Sequence, residues 1–278
     1  MTAILEILKA ILFGIVEGVT EWLPVSSTGH MILLDEFIKL KVSREFYSMF
    51  EVVIQLGAIG AVVLLFFHKL NPLSPKKTPQ QKQATWQLWF KVIAAVLPSA
   101  VLGLLLDDWM EEHLYNYIVV ALMLILYGVA FLFAERFHRG RTPAVKSVHG
   151  IGLKTALFIG CFQCLSLIPG TSRSGATILG ALLLGVSRSA GAEFSFFLAI
   201  PTMLGASALK FLKFVLSGTP VTGLEISVLL VGALVSFLVS LLVIRGLMDY
   251  VRKRSFAVFG LYRIVLGTAV VLFFLLKQ

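Results

Sequence analysis

Between Glu17 and His30 the chain reads Glu-Gly-Val-Thr-Glu-Trp-Leu-Pro-Val-Ser-Ser-Thr-Gly-His, set between two apolar segments, Ile4 to Val16 and Met31 to Ile38. Two carboxylates, three consecutive hydroxyls and a histidine thus stand where hydrophobic residues are expected. A second polar stretch, Pro169-Gly-Thr-Ser-Arg-Ser-Gly-Ala-Thr177, separates Leu153–Ile168 from Ser174–Val186 in the same way. None of these four segments has the length of about 20 residues that an α-helix needs to cross a hydrocarbon core of roughly 30 Å. Each pair therefore reads as two half-length helices joined by a polar break, a re-entrant hairpin. Irregular backbone at that depth is tolerated only where protein buries it or a wet cavity receives it.

Composition agrees with a membrane setting. The chain is 58% hydrophobic and 14% charged, against about 25% charged in soluble domains. Its apolar residues fall in long runs without the alternation of a membrane barrel. Full crossings are expected at Phe46–Phe67, Trp89–Leu106 (with Pro98 inside), Tyr117–Phe133, Ala192–Leu212, Ile226–Ile244 and Ala257–Leu276. The fold class is all-α and polytopic: six transmembrane helices plus two re-entrant hairpins in one domain spanning residues 1–278.

The net charge of +9 does not point to nucleic acid, because the basic residues gather in short connections, as the positive-inside rule describes. These are Lys69–Lys82, Arg136–Lys146 and Arg245–Arg254, placed in the cytoplasm. The acidic connection Asp107, Asp108, Glu111, Glu112 and both termini then lie outside, with Lys39, Lys41 and Arg44 against the trend. The N-terminal segment lacks a basic lead and carries Glu17 and Glu21, so it is expected to be retained. Cys161 and Cys164 are read as two buried small thiols, and Trp22, Trp86, Trp89 and Trp109 as interfacial anchors.

The halves resemble each other. Gly14-x-x-Glu17 matches Gly160-x-x-Gln163, and Gly29 matches Gly175 at the same offset. Glu45-Phe46 and Leu56-Gly57-Ala58 match Glu193-Phe194 and Leu204-Gly205-Ala206. With one hairpin and three crossings each, repeat one (1–135) and repeat two (150–278) must be inverted, which brings both polar breaks near the midplane.

Glu17 and Glu21, four residues apart, share a helix face. Together in a membrane they need a compensating cation or proton, and a divalent metal such as Mg²⁺ or Ca²⁺ suits their oxygens. Ser26-Ser27-Thr28 is either a helix cap or a nucleophile cluster, and His30 or a nearby carboxylate supplies a proton acceptor. Arg173 has a planar fork suited to phosphate oxygens, or to pairing with Glu17 or Glu21. Ser174-Gly175 opens the following helix with unpaired N–H groups, and Thr177 lies one turn on. Arg188 and Glu193 mark a helix start, while Glu51 and Gln55 line the cavity or bind the other half.

The three stretches Glu17–His30, Phe50–Gly57 and Pro169–Thr177, in this order, resemble the bacitracin-resistance family of undecaprenyl-diphosphate phosphatases, and the resemblance covers nearly the whole chain. It implies a bacterial plasma-membrane hydrolase acting on a phosphoric anhydride. The expected reaction removes the terminal phosphate of undecaprenyl diphosphate, recycling the lipid carrier for peptidoglycan synthesis and conferring bacitracin resistance. The active site would open to the outer, periplasmic face. Carried onto this sequence, Ser27 is the candidate nucleophile and His30 the base or acid. Glu17 and Glu21 hold metal or manage protons, and Arg173 clamps phosphate together with Ser26, Thr28, Ser172, Ser174 and Thr177. On residues alone, a lipid-linked substrate transporter or flippase fits the inverted repeat equally well, but such a protein does not require the hydroxyl–histidine cluster. Small-residue faces such as Gly57-x-x-Gly60 and Gly103 suit either a homodimer contact or packing within the monomer.

Overall fold

The computed structural model describes residues 2–277, and the side chains of all of these except Thr2, Glu111 and Lys277. The chain is all-α. Its helices are α1 (Thr2–Thr20), α2 (Ser27–Phe37), α3 (Arg44–Val53), α4 (Gln55–Leu65), α5 (Phe67–Leu70), α6 (Pro79–His113), α7 (Tyr117–His138), α8 (Leu153–Cys164), α9 (Arg173–Leu183), α10 (Arg188–Leu216), α11 (Gly223–Lys253) and α12 (Ala257–Lys277). Among the described residues, six stretches are long and apolar enough to cross a membrane: Arg44–Leu65, Pro79–Met110, Tyr117–His138, Arg188–Leu216, Gly223–Lys253 and Ala257–Leu276. The protein is therefore a six-span polytopic membrane protein.

Local chemistry explains where the spans begin. Thr78 and Gln81 form a capping box before Pro79 at the start of α6, and Thr222 with Glu225 does the same for α11. Asn116 caps α7 and Ser187 caps α10. Each cap satisfies N–H groups that a helix start leaves without partners.

Several boundaries differ from the sequence expectation. The first crossing is broken at Ile54, between α3 and α4, where Gly57 N–H bonds the Ile54 carbonyl at 3.1 Å and tightens the turn Ile54–Gly57. Helix α6 takes in the end of the basic loop and also the acidic stretch: Asp107, Asp108 and Glu112 belong to its last turns rather than to a connection. The side chain of Glu111 lies outside the described residues. Cys161 is exposed and Cys164 half-buried, because the α8 face carrying Leu157 and Phe158 points outward. Trp22 is not an interfacial anchor but fully buried, edge-on to Phe196 at 5.2 Å.

Four extensive pairings organise the bundle: α7 along α12, α1 along α11, α4 along α11, and α8 along α6. Small residues allow the close approach. A Cβ added at Gly160 of α8 would stand 2.0 Å from the Ala95 carbonyl oxygen of α6, so only glycine lets these backbones meet. Gly205 in α10 faces open space. Gly160→Ala is therefore expected to cost about 1–3 kcal/mol or more through overpacking, whereas Gly205→Ala has no such penalty. Thermal unfolding of the two variants in detergent checks the difference, and equal melting temperatures would contradict it.

Candidate active site

The two polar breaks lie between α1 and α2 and between α8 and α9, and they are built alike. Ser26 and Ser172 are the only non-glycine residues with positive φ among the described residues, both at 74°. This left-handed backbone is costly for residues other than glycine, so the surroundings must hold it. Each serine Oγ accepts the N–H of the glycine three residues on, Gly29 at 3.2 Å and Gly175 at 3.1 Å, and so caps α2 or α9.

What holds both breaks is Arg263 of α12, which is fully buried. Its guanidinium donates to the carbonyls of Pro24 (3.1 Å) and Gly170 (2.8 Å), one in each break, and to Met123 (3.3 Å) and Leu124 (3.4 Å) of α7. Gly170 sits at φ +89°, and a Cβ there would come 2.5 Å from the Val120 carbonyl oxygen. Sequence reasoning missed Arg263. Its signal was available: a lone cation inside an otherwise apolar crossing is costly unless it has partners.

A cavity of about 420 Å³ opens beside the breaks, walled by both. Glu21 is its centre. Glu21 Oε2 accepts from Ser27 Oγ at 2.6 Å, and Oε1 accepts from Arg173 Nη2 at 2.9 Å and Nε at 3.3 Å. The Arg173 Nη1 group donates to the Ser195 carbonyl at 2.7 Å, and the guanidinium lies 5.7 Å over the Trp22 ring. A serine hydroxyl and a carboxylate from the first break and an arginine from the second are thus joined in one buried unit, and all three line the cavity.

Glu17, one turn before Glu21, also lines the cavity and is buried, yet neither of its oxygens has a hydrogen-bond partner among the described residues. A buried carboxylate without partners requires a proton or a cation. No cluster of three or more His, Cys, Asp or Glu side chains able to hold a metal occurs among the described residues. An oxygen-preferring cation completed by water and substrate oxygens still fits Glu17. Glu21 is a poorer ligand, because both of its oxygens are already engaged.

The remaining site residues divide. Thr28 and Ser172 line the cavity. Ser174 is fully buried and bonds back across the halves, to the carbonyls of Glu21 (3.0 Å) and Leu23 (3.2 Å). Thr177, also fully buried, meets Ser195 Oγ at 2.7 Å and the Arg173 carbonyl at 2.9 Å. Ser26 is engaged as a cap. His30 does not join Ser27: its Nδ1–H donates to the Ser26 carbonyl at 2.7 Å, which leaves Nε2 to accept from the Tyr262 hydroxyl at 2.7 Å. Glu51 and Gln55 line the cavity, as do Gln163, Ser99 and Thr202. The last three drew no attention as site residues from sequence.

Fold and site together define a polytopic helical membrane protein that buries a serine hydroxyl, two carboxylates and an arginine against one cavity. The family model described as bacitracin resistance protein BacA matches residues 10–269, and the chain belongs to that family. Curated relatives include undecaprenyl-diphosphatases of Lactiplantibacillus plantarum, 58% identical over 272 residues (98% of this chain, 99% of the relative), and of Streptococcus thermophilus, 56% identical over 271 residues (98% and 94%). Another, from Streptococcus mutans, is 58% identical over 273 residues (98% and 97%).

Removing the Arg263 staple is expected to destabilise the whole bundle. Arg263→Met leaves the buried Pro24 and Gly170 carbonyls short of a donor and should cost about 3 kcal/mol, with Arg263→Lys intermediate. Unfolding in detergent measures this, and a wild-type melting temperature for Arg263→Met would contradict the assignment.

Proposed function

We propose that the cavity is the active site of an undecaprenyl-diphosphate phosphatase, which hydrolyses the terminal phosphate and returns the monophosphate lipid carrier to cell-wall synthesis. The single observation that carries this reading is the buried Ser27–Glu21–Arg173 unit: nucleophile, proton acceptor and anion ligand are already in hydrogen-bond contact. The near-full-length identity to undecaprenyl-diphosphatases supports the same substrate and, through the family, bacitracin resistance.

In this mechanism Ser27 Oγ attacks the terminal phosphorus while its proton passes to Glu21 Oε2. The bond from phosphorus to the bridging oxygen breaks, and the lipid monophosphate leaves, taking the proton from Glu21 and returning that residue to the carboxylate form. Water then attacks the phosphoserine, again with Glu21 as base, freeing inorganic phosphate and regenerating Ser27. Arg173, with Thr28 and Ser172, faces the equatorial oxygens, where phosphoryl transfer needs most of its stabilisation. A divalent metal at Glu17, Mg²⁺ or Ca²⁺, would neutralise diphosphate charge when bound. Ser26, Ser174 and Thr177 shape the two breaks that present these groups. His30 orients the Ser26 carbonyl and so acts as a positioning residue, with Glu21 taking the base role that sequence offered to His30.

The architecture is read as an inverted repeat, residues 1–135 and 150–278, with α1–α2 and α8–α9 as re-entrant hairpins in a single membrane domain. Support comes from the matched capping serines at φ 74° and from the exchange of partners: the first hairpin's α1 packs on α11, the second's α8 on α6. The site is placed towards the periplasm and the termini outside. Asp107, Met110 and Tyr115, at the α6–α7 end of the cavity wall, lie away from the basic connections. A homodimer through small-residue faces is a further expectation.

Phosphate release from undecaprenyl diphosphate by detergent-purified protein tests the reading. Chelator should suppress release, and Arg173→Ala should lower it about 10²–10³-fold. Failure of folded, metal-loaded wild type to release phosphate would move the reading to a lipid transporter. Ser27→Ala should lose roughly 10³–10⁶-fold, and a phosphate trapped on His30 instead of Ser27 would overturn the serine mechanism.

A further inference from the structure

The cavity that receives Glu17 and Glu21 is also lined by a polar group that the mechanism does not use. Gln163, in α8, is fully buried and lines the cavity. Its Nε2 donates to Ser99 Oγ at 2.7 Å and to Thr202 Oγ1 at 3.1 Å. Those hydroxyls spend their own protons on the Val96 and Leu198 carbonyls, at 2.9 and 2.8 Å. They can only accept from the amide, so the amide cannot turn over. Its carbonyl oxygen, Oε1, is thereby left facing away from these partners, buried and without any partner of its own among the described residues.

One cavity thus contains three buried bare oxygens, two on Glu17 and one on Gln163, while the Glu21 oxygens are spent on Ser27 and Arg173. The two residues hold corresponding places in the halves, in Gly14-x-x-Glu17 and Gly160-x-x-Gln163. Three features point to a cation: the set is all oxygen and acceptor only, and it carries one formal negative charge. A proton on Glu17 finds no acceptor within hydrogen-bond reach among the described residues, and a water on Gln163 Oε1 leaves the carboxylate uncompensated, whereas a hard divalent cation satisfies both.

We propose that Glu17 and the Gln163 side-chain carbonyl form a divalent-cation site, one protein ligand from each half of the chain, in place of a Glu17–Glu21 pair. Waters and substrate phosphate oxygens complete the coordination, as Mg²⁺ commonly requires. Ser99 and Thr202 act behind Gln163 as the groups that orient its ligand oxygen. The arrangement frees Glu21 for proton transfer and makes the cation a sensor of how the two halves sit against each other. This inference deepens the phosphatase reading of the same cavity and rests on it.

The test is titration of full-length, chelator-stripped protein in detergent with Mn²⁺, following free Mn²⁺ by electron paramagnetic resonance, so that binding is read apart from turnover. Wild type should bind Mn²⁺. Gln163→Leu should weaken binding roughly tenfold or more, Gln163→Glu should tighten it, and Glu17→Gln should abolish it, whereas Glu21→Gln should change it little. Wild-type affinity in a folded Gln163→Leu, or absence of Mn²⁺ binding by wild type, overturns the proposal. If Gln163→Leu does not fold, the near-isosteric Gln163→Glu decides: no tightening overturns it. Phosphate release by wild type is measured beside these titrations. Release without a Gln163 effect on Mn²⁺ sinks only the cation site, and Mn²⁺ binding without release sinks the phosphatase reading.

Discussion

Backbone that leaves helical geometry in a protein interior must find its hydrogen-bond partners there, and in this chain the two breaks share theirs. Arg263 binds a carbonyl from each, Pro24 and Gly170, while also gripping α7. Ser174, from the second break, bonds the carbonyls of Glu21 and Leu23 in the first. These contacts hold Ser26 and Ser172 at positive φ, and the held serines in turn aim α2 and α9. Neither break can keep its shape alone. The functional groups accordingly sit at helix ends beside the breaks, Glu17 in the last turn of α1, Ser27 and Arg173 at the starts of α2 and α9, with Glu21 just past α1, an arrangement suited to the preorganisation that electrostatic catalysis demands.

The same constraint separates the roles of two carboxylates only one turn apart. Glu21 sits where the breaks cross, so Ser27 and Arg173 reach it from opposite sides. Glu17 sits a turn deeper in α1, beyond the reach of either, and is left bare against the cavity. One carboxylate is thereby committed to the hydroxyl and the guanidinium, and the other to whatever enters. Chemistry that needs a base and a charge-neutralising ion gains from this division, because neither group has to serve both purposes.

Much of this was legible in the sequence, for identifiable reasons. Apolar runs of membrane-crossing length identified the spans, since hydropathy senses the bilayer directly. The breaks stood out because Glu17, Glu21 and Arg173 are too costly at that depth to be incidental. Less legible was what depends on distance across the fold. His30 is nearest to Ser27 in sequence among the imidazoles, yet helical geometry turns it towards Ser26 and Tyr262, and it is Glu21 that accepts from Ser27. Ser174 and Thr177 look like phosphate ligands beside Arg173, but they are buried against backbone and Ser195. Arg263, Gln163 and Ser99 lie in stretches without any motif, so their importance emerges only when α12, α8 and α6 are packed. The acidic residues from Asp107 onward read as a connection because charge usually ends a span, but α6 simply extends past the apolar region.

The central claim is that one catalytic unit is assembled from both halves through Glu21 and Arg173. A double-mutant cycle on kcat/KM for undecaprenyl diphosphate, using Glu21→Gln, Arg173→Gln and the double variant, addresses it most directly. The account predicts strong non-additivity, with a coupling energy of about 1.5–3 kcal/mol between residues in contact. Additive losses, within about 0.5 kcal/mol, would mean that the two residues act independently, and would contradict it.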